Sequence, residues 1–334
     1  MDSSSPSSNS DPLRPDRPSL PDRWARGGQL LLDGPLEGGR GASTATTFVT
    51  GILGLGAAFI LFQLVVSPAL LVLQIGMSEG GVGALETMGD PSALLSAYTQ
   101  ELIVSNSVGQ VFGLVLPALL MARLHTSRLS GFLRLRGVDA RFLVLAVIGI
   151  VGLQPVVQWL AQINRHLPLP EAVRMFEQTQ LELIQAVLES GVGVSFNLVM
   201  LAIIPGFCEE VLFRGYAQRQ FERATGPIGG ILLSGLLFGA YHLRPTQLLP
   251  LVGLGLFLAY LTWRTGSLWP AVIVHMVHNG LAVLAARYVE THESYDLDTL
   301  EQAPMPWYAV VTGFAIFVGV LYVLHPLAHR VRDA

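Results

Sequence analysis

Charged side chains occur inside an apolar stretch that reads PGFCEEVLFRG and contains Glu209, Glu210 and Arg214. Placing one charged side chain at the centre of a membrane helix costs about 2.5–3.5 kcal/mol on insertion scales. Glu210 and Arg214 are four positions apart and share a helix face, which predicts an ion pair. Glu209 points about 100° away from that face. It is left as a free carboxylate inside an apolar helix, and such a group is a candidate for function.

Pro205 lies one turn before Glu209 and is expected to change the helix there. Because proline has no N–H, the carbonyl of Leu201 loses its usual hydrogen-bond donor. This predicts a polar notch beside the carboxylate. The structural alternative for the whole stretch is an ion cluster at a membrane boundary.

Two further apolar stretches carry histidines. One ends LLFGAYHLRP, with His242 one turn after Phe238 on the same helix face. The other reads LWPAVIVHMVHNGLAVLA, in which His275 and Asn279 are four positions apart and share a face. His278 is only partly aligned with His275. The structural alternative for each of these side chains is a hydrogen bond between helices.

The spacing of the motifs predicts that they meet at one depth. If the helix that carries Glu209 continues to a turn at Thr225–Pro227, Glu209 and His242 both lie roughly 24–25 Å along their helices from that turn. The hairpin then brings them to the same level, in the cytoplasmic half or near the middle of the bilayer. His275 falls in a similar zone. The polar stretch Gln218–Arg223 is expected to protrude into the cytoplasm.

Such a set of side chains can hydrolyse an amide. A carboxylate and an imidazole that hold one water can remove its proton and aim it at a carbonyl carbon. A second imidazole and an amide can donate hydrogen bonds to the oxygen where negative charge develops. No side-chain nucleophile is needed, and the sequence contains no G-x-S-x-G. Cys208, which precedes Glu209 on an apolar helix, is interpreted as a packing residue.

The composition indicates a polytopic membrane protein. The 334 residues are 51% hydrophobic and 13% charged, and the mean hydropathy is +0.52, whereas soluble domains carry about 25% charge. The net charge of -4 does not indicate a basic surface for nucleic acid. The single cysteine excludes an internal disulfide. We predict an all-α membrane protein with about eight transmembrane helices. Their expected positions are roughly 48–75, 102–122, 142–163, 193–215, 226–243, 246–263, 268–289 and 306–328.

Loop charge predicts the orientation. Arginines lie in the N-terminal segment, in the loops after the second and fourth spans and at the C-terminus, whereas the loops after the first and seventh spans are acidic. The positive-inside rule therefore places both termini in the cytoplasm. The expected location is an integral, multi-pass protein of a membrane, which is the inner (plasma) membrane if the source is bacterial.

The three motifs are similar to those of a known family. EEVLFR at Glu209–Arg214, FGAYH at Phe238–His242 and HMVHN at His275–Asn279 resemble the EExxxR, FxxxH and HxxxN motifs of the CAAX-processing and bacteriocin-processing (CPBP) intramembrane proteases. This family includes the type II CAAX prenyl endopeptidase. The resemblance covers about residues 193–290.

This resemblance implies an intramembrane endopeptidase that works among membrane lipids on a membrane-associated or lipidated protein or peptide. Glu209 and His242 would activate the water, and His275 and Asn279 would form the oxyanion site. The supporting residues would be Glu210, Arg214 and Phe238. A glutamate-type mechanism without a cofactor is favoured. The alternative is zinc held by Glu209, His242 and His275, although the H-E-x-x-H motif of zinc proteases is absent.

The composition, the expected spans and the resemblance together suggest a division of the chain into four regions. These are a disordered cytoplasmic tail at 1–45, an N-terminal three-helix region at 46–190, a CPBP-type core of four helices at 191–290, and a last helix with a short tail at 291–334.

Two other functional classes predict different sequences. A non-catalytic membrane immunity or binding protein predicts decay of at least one motif, but all three are intact. A transporter predicts broken, polar helices in two corresponding halves. The first three spans contain almost no ionisable residue, so the polar site is confined to one half.

Overall fold

The chain is built from membrane helices. A computed structural model describes residues 30–38, 42–78, 91–178, 193–290 and 303–333, and these residues contain no strand. Within these ranges, seven helices are long and apolar enough to cross a membrane, judged by length and composition. The predicted class, an all-α integral membrane protein, is confirmed. The orientation of the termini and the division into regions stay predictions.

The membrane helices are numbered here in chain order. Their bounds are α1 at Thr44–Met77, α2 at Ala97–Arg123, α3 at Ala140–Arg165, α4 and α5 within the continuous segment Val194–Tyr241, α6 at Leu248–Thr265, α7 at Trp269–Glu290 and α8 at Trp307–Asp333. Short helices such as Leu129–Phe132 lie between them.

The segment Val194–Tyr241 is a hairpin, so it contains two of the predicted spans. Gly226 has φ 81° and ψ 174°, a conformation that glycine adopts without a steric penalty, and Pro227 follows it. A straight helix would separate Glu209 from His242 by about 50 Å, yet their side chains are 3.7 Å apart. The first arm, 194–225, is α4, and the second arm, 227–241, is α5.

Three of these helices contain a π-helical stretch that ends two residues before a proline. The stretches are Ile60–Val66, Val111–Val115 and Leu198–Ile203, and the prolines are Pro68, Pro117 and Pro205. A proline ring lacks an N–H and clashes with the carbonyl four residues earlier, and a wider turn relieves both problems. In α4 this stretch lies before the first motif, and a second π-helical stretch, Val211–Ala217, begins directly after Glu210 and includes Arg214.

Helix α4 is enclosed by its neighbours. Helices α1 and α2 pack against it, α7 packs against both α4 and α3, α5 lies along α6, and α8 lies along α3. The closest approach of α4 to α7 is at Gly206, where a Cβ atom would be 2.7 Å from the side chain of Met276. This contact brings the first and third motifs together.

The end of α4 is buried in protein, so the prediction that Gln218–Arg223 protrudes is wrong. Gln218 and Gln220 are fully buried, and Glu222 is nearly so. The Glu222 carboxylate accepts hydrogen bonds from Arg134 and from Gln218. Polar side chains that satisfy one another have the same composition as a solvent-facing segment, so the sequence alone did not distinguish the two.

Residues 30–38 belong to the segment that was predicted to be a disordered tail, and the structure gives them defined contacts. The Glu37 carboxylate accepts hydrogen bonds from His125 Nδ1 at 2.6 Å and from Arg223 Nη2 at 2.7 Å. Burial raises the pKa of this carboxyl, but the hydrogen bonds from His125 and Arg223 outweigh burial and lower the pKa to about 2. The N-terminal segment is thereby held against the end of α4.

This cluster predicts acid-sensitive stability. The ordinary pKa of a glutamate carboxyl is near 4.5, so the contribution of Glu37 is complete above about pH 5 and is lost as the pH falls towards 2. Glu37→Gln should lower the free energy of unfolding at pH 7 by on the order of 2–3 kcal/mol. Thermal unfolding in detergent at several pH values would measure this.

The control is Glu171→Gln. Glu171 is 77% exposed, and its only ion pair given by the described residues is a long one, 3.9 Å from Arg174. Exposed ion pairs contribute about 0–1 kcal/mol, so this variant should unfold like the wild type. Equal losses in the two variants would contradict the role of Glu37.

Candidate active site

The three motifs line one cavity of about 330 Å³ between α2, α4, α5, α6 and α7. Glu209, His242, His275 and Asn279 all contribute to its wall, together with Phe238. The hairpin α4–α5 and the packing of α7 on α4 bring them together. The structure therefore places the predicted catalytic side chains at one level.

Of the two adjacent glutamates, Glu209 has fewer hydrogen-bond partners than Glu210. Its Oε2 lies 3.7 Å from His242 Nε2 and 4.0 Å from His275 Nε2. This oxygen is buried and has no hydrogen-bond partner among the described residues. The two separations are too long for a direct hydrogen bond, but one water at about 2.8 Å from each atom would bridge either pair. The arrangement suits a carboxylate that holds a water.

Glu210 and Arg214 form the ion pair that their spacing predicted. Arg214 Nη1 donates to Glu210 Oε1 at 2.9 Å, and both side chains are fully buried. Arg214 Nη2 also donates to the carbonyl of Gly255 on α6 at 3.1 Å. The guanidinium therefore connects α4 to α6 as well as neutralising Glu210.

Glu210 also makes a contact that sequence reasoning missed. Its Oε1 accepts a hydrogen bond from His275 Nδ1 at 2.9 Å. His242 Nδ1 donates to the carbonyl of Phe238 at 2.8 Å, since a carbonyl can only accept. In each imidazole the Nδ1 atom is thus engaged, and the Nε2 atom is the one nearest Glu209. The only available signal was that the first motif contains two adjacent glutamates.

The ring of Phe238 packs against both imidazoles and the guanidinium of Arg214. It is fully buried and makes edge contacts with both imidazoles, with ring centroids 4.8 Å from His242 and 5.6 Å from His275. The guanidinium carbon of Arg214 lies 4.2 Å from the same ring centroid. A cation held against an aromatic face is stabilised without water. The two imidazoles and the guanidinium are therefore all packed against this one ring.

Asn279 lies at the notch that Pro205 creates. Its Nδ2 donates to the carbonyl of Leu201 at 3.2 Å, the carbonyl that was predicted to lack its helical donor. A carboxamide nitrogen carries two hydrogens. One N–H of Asn279 therefore donates to a backbone carbonyl of α4, and the second N–H can donate to a ligand.

Sequence reasoning missed two cavity residues on α2, Asn106 and Gln110, and did not include His278 in the site. All three line the cavity. His278 Nδ1 makes a hydrogen bond with the Gln154 amide of α3 at 2.9 Å, which is the contact between helices that was predicted as its alternative. Isolated amides on an apolar helix form no motif, and only the packing of α2 against α4 reveals them.

Comparison with known proteins agrees with this geometry. Residues 191–281 match the family model described as "Type II CAAX prenyl endopeptidase Rce1-like". Over 100 residues the chain is 26% identical to "Putative membrane peptidase YdiL" of Bacillus subtilis (strain 168), an alignment that covers 30% of this chain and 41% of that protein. No solved structure matches the chain.

We call residues 191–281, the part of the chain that this family model matches, the Rce1-like segment. The resemblance to the CAAX-processing family is thus confirmed for the segment that contains all three motifs. The Rce1-like segment includes α4, α5, α6 and most of α7, whereas α1, α2, α3 and α8 lie outside the match. The chain thus matches less than half of the length of its Bacillus relative.

The buried ion pair predicts the effect of removing Arg214. Arg214→Ala leaves Glu210 buried without its cation, and breaking such a pair costs about 3–5 kcal/mol. We therefore expect less folded protein in membranes and a lower unfolding temperature. Quantitative immunoblotting and thermal unfolding of the purified variant would measure both.

Arg174→Ala is the control, because that side chain is 65% exposed. It should accumulate like the wild type. A stable Arg214→Ala protein would argue that Arg214 acts on a ligand and does not hold the fold.

Proposed function

We propose that the protein is an intramembrane endopeptidase that hydrolyses a peptide bond of a membrane-associated protein or peptide. The proposal rests on one observation: the Glu209 carboxylate and two imidazole Nε2 atoms face one another across a small cavity. The Rce1-like match and the printed name of the Bacillus relative support the peptidase class.

In the proposed mechanism, Glu209 is the base. A water bridges Glu209 Oε2 and His242 Nε2, which are 3.7 Å apart. Because the Phe238 carbonyl holds the proton of His242 on Nδ1, the Nε2 atom accepts a hydrogen bond from the water. Glu209 takes the other proton as the oxygen attacks the peptide carbonyl carbon. The same proton passes to the leaving amine when the C–N bond breaks, so the carboxylate is restored.

Asn279 and His275 stabilise the oxyanion in this mechanism. Asn279 offers its second N–H, and a protonated His275 offers Nε2–H because its Nδ1–H is given to Glu210. This role requires a proton on both ring nitrogens of His275, because Nδ1 already donates to Glu210.

Two adjacent glutamates give a matched test. Glu209→Gln removes the base, yet Oε2 has no partner to lose, so the protein should fold normally while activity falls by orders of magnitude. Glu210→Gln removes the partner of Arg214 and His275, so it should lower both stability and activity. The readout is a comparison of protein N-termini in membranes that contain the wild type or each variant, together with thermal unfolding.

Near-normal cleavage by the Glu209→Gln protein would contradict the assigned role. If no N-terminus depends on Glu209 at all, the chain would instead be a non-catalytic binding protein that keeps the fold.

A zinc-dependent mechanism uses the same atoms. Two imidazole nitrogens and a carboxylate oxygen are a common zinc donor set, and Glu209, His242 and His275 would hold the ion. The ligand atoms of a tetrahedral zinc site lie about 3.4 Å apart, and the 3.7 and 4.0 Å found here are longer. Among the described residues, no three His, Cys, Asp or Glu side chains are placed closely enough to hold a metal ion. A bound zinc would supply a Lewis acid for the water and the carbonyl. Asn279 favours the glutamate mechanism, because an amide is a poor zinc ligand and a suitable oxyanion donor.

Metal analysis separates the two mechanisms. In the glutamate mechanism, His275→Ala removes one oxyanion donor and costs roughly 2.7–4 kcal/mol, so a hundredth to a thousandth of the activity should remain. Chelators should then change the rate little. Elemental analysis of the purified wild type, with cleavage assayed before and after chelation, makes the measurement. Stoichiometric zinc whose removal abolishes cleavage would overturn the glutamate mechanism.

A further inference from the structure

One wall of the cavity carries amides that the proposed chemistry does not use. Asn106 and Gln110 lie on α2, outside the Rce1-like segment, and both line the cavity opposite the motifs of the other helices. Gln110 is only 5% exposed, and its Oε1 atom is buried without a hydrogen-bond partner among the described residues. Leaving a buried carboxamide oxygen without a hydrogen-bond partner is destabilising, so its place in the wall needs an explanation.

The neighbouring polar residues on α2 are different. Ser107, one position after Asn106, faces away from the cavity and donates to the carbonyl of Met200 on α4 at 2.9 Å. Ser105 accepts a hydrogen bond from Gln74 of α1 at 2.6 Å. These two hydroxyls hold helices together. The amides of Asn106 and Gln110 make no such contact within the described ranges, although they lie on the same helix.

The spacing of the two amides matches an extended peptide. Asn106 and Gln110 are one helical turn apart, with a rise of about 6 Å along α2. In an extended strand, residues i and i+2 present their N–H and C=O groups to the same side at intervals of about 6.6–6.8 Å. A carboxamide has one acceptor and a donor group, so each can pair with the N–H and C=O of one residue.

We propose that Asn106 and Gln110 form a subsite that binds the backbone of the substrate in an extended conformation, with the two amides on alternate residues. The inference rests on the proposed peptidase function and adds the form in which the substrate is recognised. A peptide that enters a membrane without helical structure must have its N–H and C=O groups satisfied by protein. A helical segment satisfies these groups internally, so the subsite selects unwound segments.

The first test uses cells and needs no known substrate. The N-termini that disappear from membranes when Glu209 is changed to Gln identify the cleavage sites. At these sites, Gln110→Met and Asn106→Leu should each reduce product formation roughly three- to tenfold, the effect of losing one neutral hydrogen bond. Ser107→Ala is the control from the same helix and should leave the products unchanged. If the Glu209→Gln change abolishes no N-terminus, both the proposed function and this inference are contradicted.

The second test uses a quenched-fluorescent peptide that spans the most affected of these cleavage sites. Gln110→Met should raise KM with kcat nearly unchanged. Replacing one backbone N–H of the peptide by N-methyl should weaken cleavage by the wild type but add little to the loss in Gln110→Met, because both changes remove the same hydrogen bond. For Asn106→Leu, the N-methyl substitution that adds little to the loss should lie two peptide residues away from the one found for Gln110→Met. Additive effects at every position would overturn the subsite while leaving the peptidase function intact.

Stability distinguishes this binding role from a structural one. Because Gln110 Oε1 has no partner to lose, Gln110→Met should keep or raise the unfolding temperature. Ser107→Ala removes a hydrogen bond to α4 and should lower it slightly. A Gln110→Met protein that unfolds at a lower temperature, with KM unchanged and kcat reduced, would show that Gln110 supports the fold instead.

Discussion

The Glu210 Oε1 atom is shared by Arg214 of its own helix and His275 of α7, and the arrangement of the cavity depends on this sharing. Arg214 extends the link to the backbone of Gly255 on α6. Three helices are thus connected through one buried carboxylate oxygen. Burying these charges is costly, and the cost is offset only when each group has its partners at hydrogen-bond distance. The geometry is therefore fixed tightly, and the imidazole of His275 can adopt only the orientation that directs Nε2 towards Glu209.

A membrane helix that carries charged side chains needs other protein segments packed against its polar face. Helix α4 carries Glu209, Glu210 and Arg214 in its middle and the Glu222 cluster at its end, and α1, α2, α6 and α7 cover these groups. The rest of the molecule can be apolar and face lipid because α4 is enclosed. The same enclosure explains why Glu209 Oε2 can stay without a protein partner. Its neighbours are held at 3.7 and 4.0 Å by Phe238 and Glu210, which is too far for a direct hydrogen bond but close enough for one water beside them to contact both atoms.

The features that could be predicted from the sequence are local ones. The α4–α5 hairpin followed from Gly226–Pro227 and from the equal distances of Glu209 and His242 from that turn. The Glu210–Arg214 pair and the unsatisfied carbonyl of Leu201 followed from helix geometry alone. What the sequence did not reveal depends on which helices touch. The contact of Glu210 with His275, the burial of Gln218–Arg223 and the position of Gln110 all require the packing of α4 against other helices, and no spacing within one helix encodes that packing.

The cavity therefore combines groups of two origins. The carboxylate, the imidazoles and Asn279 come from the Rce1-like segment and are held by one another, whereas Asn106 and Gln110 come from α2, which packs against both α1 and α4. A change in the amides of α2 leaves the hydrogen bonds of Glu210 and His242 untouched. The proposed hydrolytic groups and the proposed subsite for the peptide backbone can consequently vary independently. If both proposals hold, a chain built in this way can keep one set of catalytic side chains while its N-terminal helices adapt the cavity to a different peptide.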